Sequence, residues 1–185
     1  MKHSLFSGPI SRIGKLILAE VGNKPVTLIV LMCGMVVTYL QYQAFLESGR
    51  VEQSYKLVEE WETRGYDQDL QAFSARVVAL EMEGRDVFGA EIDMQKEPGL
   101  NFVVNGLGDP DAETAAAIDR LYYFFDKMSL CVEQDLCDRA LLVEYFGTAV
   151  NSFWGYTVSY RSDKRDRSPS FGSFTERFSN SLPRP

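Results

Sequence analysis

The stretch from Pro25 to Leu46, PVTLIVLMCGMVVTYLQYQAFL, carries no charged residue and lies close to the N-terminus. A helix rising about 1.5 Å per residue needs roughly 20 residues to cross a hydrocarbon layer about 30 Å thick. The run therefore spans a bilayer if Gln41, Tyr42 and Gln43 reach its interface. A cleaved signal peptide has a shorter apolar core, a basic region just before it and small residues at its end. Here 24 residues precede the run, and it ends in aromatic and glutamine side chains. A buried core helix is the other reading, because the mean hydropathy of the whole chain is only −0.15 and the strongest part, Val26 to Leu40, is short for a span. Pro25 suits a first helical turn in either case, since its missing amide would lack a partner there anyway.

Basic residues near the run bear on orientation. Lys2, Arg12, Lys15 and Lys24 precede it, and Arg50, Lys56 and Arg64 follow it. The positive-inside rule counts these residues rather than net charge, so the bias toward a cytoplasmic N-terminus is slight and leaves the side of the polar portion undecided. Within residues 1–24, Ile13, Leu16, Ile17 and Val21 fall at helical spacing. That segment reads either as an amphipathic foot on the membrane surface or as a plain lead-in to the span.

The 185 residues, less the anchor and the ends, leave one domain of ordinary size. A formal net charge of −7 argues against nucleic acid as a partner, because phosphate recognition needs clustered Lys and Arg. The expected partners are the lipid bilayer and other membrane protein subunits.

After the anchor the signal is helical almost throughout. Val51, Tyr55, Val58 and Trp61 recur at three- and four-residue spacing among acidic residues, predicting a helix over about 46–63 that Gly65 ends. Leu70, Phe73, Val77 and Leu80 predict a second over 67–83, ended by Gly84. Residues 85–108 hold scattered glycines, Pro98 and short apolar pieces, and read as a long loop. Asp109 followed by Pro110 predicts a capped start for a helix over 110–133, with Ile118, Leu121, Tyr122, Phe125, Met128 and Val132 as its apolar stripe. After a tight turn, Leu142, Tyr145, Phe146, Ala149, Phe153 and Tyr156 predict a last helix over 139–160, making an antiparallel hairpin with its predecessor. Residues 161–185 are rich in Ser, Arg and Pro. They read as an irregular tail, either disordered or, if ordered, held by the chain's own helices or by a partner into whose grooves Phe171, Phe174 and Phe178 dock. The expected fold is thus all-α: one N-terminal transmembrane helix over 25–46, then a small antiparallel helical bundle within 47–160 carrying a long loop, then the tail.

The block RLYYFFDKMSLCVEQDLCDRALLVEYFGTAVNSFWGYTVSYR, residues 120–161, resembles the core helical hairpin of a bacterial and archaeal family of small membrane-anchored proteins classed as a domain of unknown function. The positions carrying the likeness are Phe124, Phe125, Asp126, Leu136, Asp138, Tyr145, Phe146, Gly147 and Trp154. The resemblance implies an N-terminal span continuing into a helix and then a hairpin, and it implies a fold rather than an activity. It also implies a place in the bacterial inner membrane and a domain facing the cytoplasm, opposite to the slight charge bias.

Candidate chemistry is sparse. The only histidine is His3, so a Ser-His-Asp triad, a Cys-His pair or a histidine-rich metal site has no place in the domain. No glycine-rich phosphate loop occurs, and the NGLGD of Asn105 to Asp109 is a lone turn. The acid groups Glu59, Glu60 and Glu62, and Asp109, Asp111 and Glu113, are cation ligands on one reading and ordinary solvated or helix-start acids on the other. No catalytic residue, metal or cofactor is expected, and the protein reads as a non-enzyme.

Cys131 and Cys137 flank the hairpin turn and are a candidate disulfide, able to clamp it in an oxidising compartment. The alternative is a pair of free thiols packed as small apolar residues. Gly34 in the span permits close approach of another helix. Tyr122, Phe125, Phe146 and Trp154 are core residues on one reading and the lining of a ligand pocket on the other. Two functions follow: an accessory or scaffold subunit of a larger membrane assembly, or a membrane-tethered sensor binding a small apolar ligand inside the aromatic hairpin.

Overall fold

The computed structural model describes residues 25–183, so the segment 1–24, including the expected amphipathic foot, lies outside the described residues. The described residues form seven helices and no strand: α1 (Pro25–Thr63), α2 (Tyr66–Phe88), α3 (Gly99–Gly106), α4 (Ala112–Glu133), α5 (Arg139–Tyr156), α6 (Val158–Arg167) and α7 (Ser173–Asn180). The chain divides into two compact units, at Glu47/Ser48 within α1.

In the first unit the apolar part of α1 is exposed on every side. Leu28, Val30, Met35, Val37, Leu40 and Phe45 are between 53% and 74% accessible. The helix is long and apolar enough to cross a membrane, with a mean hydropathy of 1.6 over its best window and none of that window buried. A core helix would bury these side chains, each such burial being worth about 1.5–3 kcal/mol.

The second unit is a helical bundle built on α4. The stretch of α1 beyond Ser48 runs antiparallel to α4, with Lys127 Nζ 2.5 Å from Glu60 and Arg50 bonded to Asp135. Gly65, at φ 74°, swings the chain at the α1–α2 junction. Tyr66 then packs on Phe124, with ring centroids 4.9 Å apart, and the buried Asp69 accepts a two-pronged contact from Arg120. Since 66 meets 124 and 69 meets 120, α2 continues along α4 in the direction α1 had taken. The core lies between α2, α4 and α5, where Leu121, Phe124, Phe125, Met128, Leu142, Val150 and Phe153 have no accessible surface.

Four expectations on element boundaries are corrected. Gly84 does not end α2. It lies buried within the helix, where a Cβ would stand 2.3 Å from Met94 Cε, so this glycine serves close packing rather than termination. The expected loop 85–108 contains the end of α2 and the helix α3, whose Val103 is fully buried. The cap of α4 is Asp111 rather than Asp109, its carboxylate accepting from the amides of Glu113 and Thr114 at 3.1 and 2.9 Å. The last hairpin helix breaks at Thr157 and resumes as α6.

The tail is helical and docked on its own domain. Asp126 of α4 accepts from the amide and hydroxyl of Thr175 at 2.8 and 2.7 Å, so a side chain from another element caps α7. Gly172 enters this turn at φ 66°, with a hypothetical Cβ only 2.8 Å from the Tyr122 ring. From there α7 runs back toward the hairpin turn, with Arg177 on Glu133 and Arg139 on the carbonyl of Ser181.

Candidate functional site

On α1, Gly34 sits on an open face. A Cβ added there would meet nothing within 4 Å. Val30, Leu31, Gly34, Met35, Thr38, Tyr39 and Tyr42 share this exposed face of the helix. Thr38 turns its hydroxyl back onto the Gly34 carbonyl at 2.8 Å. That bond satisfies the hydroxyl within its own helix and leaves a small-residue step at Gly34 and Thr38, the shape that lets a second helix approach closely in lipid.

At the hairpin turn, Cys131 and Cys137 are joined in a disulfide with Cα atoms 5.4 Å apart. The turn is held from both sides. The amides of Leu136 and Cys137 donate to the Cys131 carbonyl at 3.0 and 3.3 Å, and Asp135 adopts φ 59°. Arg50 donates to both the carbonyl and the carboxylate of Asp135, and the Asp138 amide donates to Ser54 Oγ at 2.8 Å. Asp138 in turn caps α5 by accepting from the Leu141 amide. Leu136 projects from the turn and is 59% exposed.

The four aromatic residues weighed as a pocket lining are part of the core instead. Tyr122 and Phe125 both pack on Phe153, at 4.7 and 5.4 Å between centroids, and Phe146 packs on Trp61 and Phe124 at 5.1 and 5.4 Å. Trp154 lies edge-on to Tyr122 at 6.4 Å. Tyr122, Phe125 and Phe146 are buried and Trp154 is partly so, packed against them on the inward stripes of α4 and α5.

Two of the three tail phenylalanines pack within the domain. Phe171 lies 4.5 Å from the Tyr122 ring, Phe178 is buried, and Phe174 carries the Arg177 guanidinium at 4.6 Å. Phe171 and Phe178 thus face their own domain, while Phe174 is half-buried and meets Arg177 of its own helix.

Two polar clusters escaped the sequence reading. In the first, Thr157 donates to the Phe153 carbonyl, and Arg161 donates to the Tyr122 oxygen at 3.3 Å and to the Trp154 carbonyl at 3.0 Å. Tyr122 must therefore donate its own proton to Thr157, 2.6 Å away. Arg161 is nine-tenths buried, and its guanidinium stacks 3.4 Å from the centroid of the Trp154 ring. Burial raises the Tyr122 pKa against the opposing pull of Thr157 and Arg161. In the second cluster, Tyr160 donates to Asp119 at 2.8 Å, and Lys164 reaches the other oxygen of the same carboxylate at 2.7 Å. Burial first, and then the Asp119 hydrogen bond, push the Tyr160 pKa up to about 12, while Asp119 raises that of Lys164. Both clusters tie α6 to α4. Among the described residues, no three His, Cys, Asp or Glu side chains stand close enough to hold a metal ion.

No protein-family model, no curated protein and no solved structure matches this chain.

Proposed function

We propose that this protein is a non-catalytic, single-pass accessory or scaffold subunit of a larger protein assembly in a bacterial inner membrane. The observation that carries the reading is the open face of α1 at Gly34 and Thr38, on a helix whose apolar side chains are exposed all round. In lipid there is no hydrophobic drive between helices, so association rests on close packing, and small residues make that packing possible.

The test is extraction of the tagged full chain in a mild detergent, followed by size fractionation and identification of what travels with it. The expected result is co-migration with one membrane complex in a fixed ratio, and loss of that co-migration in Gly34→Leu while the helical content of the variant is unchanged. Migration of the wild-type chain alone as a monomer would overturn the proposal.

A further inference from the structure

We infer that the helical domain, residues 48–183, lies on the oxidising, extracytoplasmic side of the membrane, with the N-terminus in the cytoplasm. The inference rests on the anchor reading of α1 and adds the side from which any partner must contact the domain. Of the chain's three cysteines, Cys33 is free in the apolar run and the two in the domain are bonded to each other. Their Cα separation of 5.4 Å falls inside the range of about 4.4–6.8 Å that a disulfide tolerates.

The surrounding turn is organised around that bond. The Cys131 carbonyl collects the Leu136 and Cys137 amides, Asp135 takes the left-handed conformation that closes the loop, and Arg50 and Ser54 hold the turn from α1. Cys137 is almost wholly buried, so the bond belongs to the packed domain rather than to a loose surface loop. Such bonds persist in the periplasm and outside the cell, whereas cytosolic reductants keep thiols reduced.

Within the roughly 20 residues on either side that govern orientation, Arg12, Lys15 and Lys24 precede the run and Arg50, Lys56 and Arg64 follow it, so the basic residues balance and the disulfide alone carries the assigned side. Any subunit that grips this domain does so through extracytoplasmic segments.

The experiment uses the full chain in bacterial cells, quenched in acid to freeze thiol states, denatured, and treated with a mass-tagged maleimide before or after reduction. An alkaline carbonate wash of the membranes runs in parallel. The expected result is a carbonate-resistant protein with one tag before reduction and three after it, and in Cys33→Ser no tag before and two after. A carbonate-resistant protein carrying more than one tag before reduction would overturn the assigned side and leave the anchor intact. Release by carbonate would overturn the anchor itself, and the assigned side with it.

Discussion

The apolar part of α1 and the buried stripe of α4 are made of the same kinds of residue and differ in where those residues end up. Leu31 and Val36 of α1 are about half exposed, at 49% and 56%, while Ile118 and Leu121 of α4 have no accessible surface. The pattern differs as well: on α4 apolar positions alternate with Arg120, Lys127 and other polar residues, so one face is dry and one wet. On α1 the apolar residues surround the axis. A helix that is apolar all round has only two stable surroundings, a large protein interior or lipid, and the first is absent from the described residues. Burial against neighbouring helices therefore stabilises α4, whereas α1 is long and apolar enough to cross a membrane and buries none of its apolar run within the described residues.

Truncation in the two regions sets up the largest contrast. Phe153→Ala removes a ring that packs on Phe73, Tyr122 and Phe125 and has no accessible surface. It is expected to destabilise the domain by about 3–5 kcal/mol. Leu40→Ala, at a position 60% exposed on α1, should leave the domain's unfolding midpoint unchanged. Denaturant titration of both variants in detergent checks this, and equal losses would end the distinction between the two regions. The converse change is a charge in the run. Val36→Arg should oppose insertion by about 2.5–3.5 kcal/mol, read as a rise in the carbonate-extractable fraction with no change in domain unfolding.

A smaller effect tests how the tail is held. Asp126→Ala removes the carboxylate that accepts both the amide and the hydroxyl of Thr175. A lost cap of this kind costs about 0.5–2 kcal/mol, and here it should fall on α7 locally. Limited proteolysis should cut the variant after Arg177 well before the wild type, while cleavage within α4 and α5 stays slow. Equal cutting rates would mean that Phe171 and Phe178, with the Arg177 and Arg139 contacts, keep the tail in place without this cap.

These regions were not equally readable from sequence. The stripe Ile118, Leu121, Tyr122, Phe125 and Met128 is buried throughout because its spacing follows one helix face, a local property. The tail was opaque because what orders it is not local. Its three phenylalanines are too few for a core of their own, and the cap, Asp126, is 49 residues away from the helix it starts. Gly84 was misread for a related reason: a glycine that ends a helix and a glycine that admits Met94 look the same until the partner is known. At the candidate sites, Gly34 and the cysteine pair were visible as residues. The Arg161 and Asp119 clusters were not, because their members come from α4 and α6 and meet only after the chain has turned back.

The smallest expected effect concerns the second of those clusters and appears only at high pH. The Tyr160 hydroxyl is buried on Asp119, which favours its neutral form and lifts its pKa from 10.0 to about 12. A group whose pKa is raised on folding contributes stability that is fully present below its unfolded value and is lost as pH rises through the folded one. The domain's stability should therefore hold to about pH 10 and decline toward pH 12 as the unfolded chain, but not the folded one, releases this proton. Tyr160→Phe removes the titrating group and should flatten part of that decline, at the cost of its hydrogen bond to Asp119. Urea midpoints of the two proteins across this range provide the comparison. Parallel slopes would show that the junction of α6 with α4 draws nothing from the titration of this hydroxyl, leaving Lys164 on Asp119 and Arg161 on Tyr122 as the polar contacts that hold it.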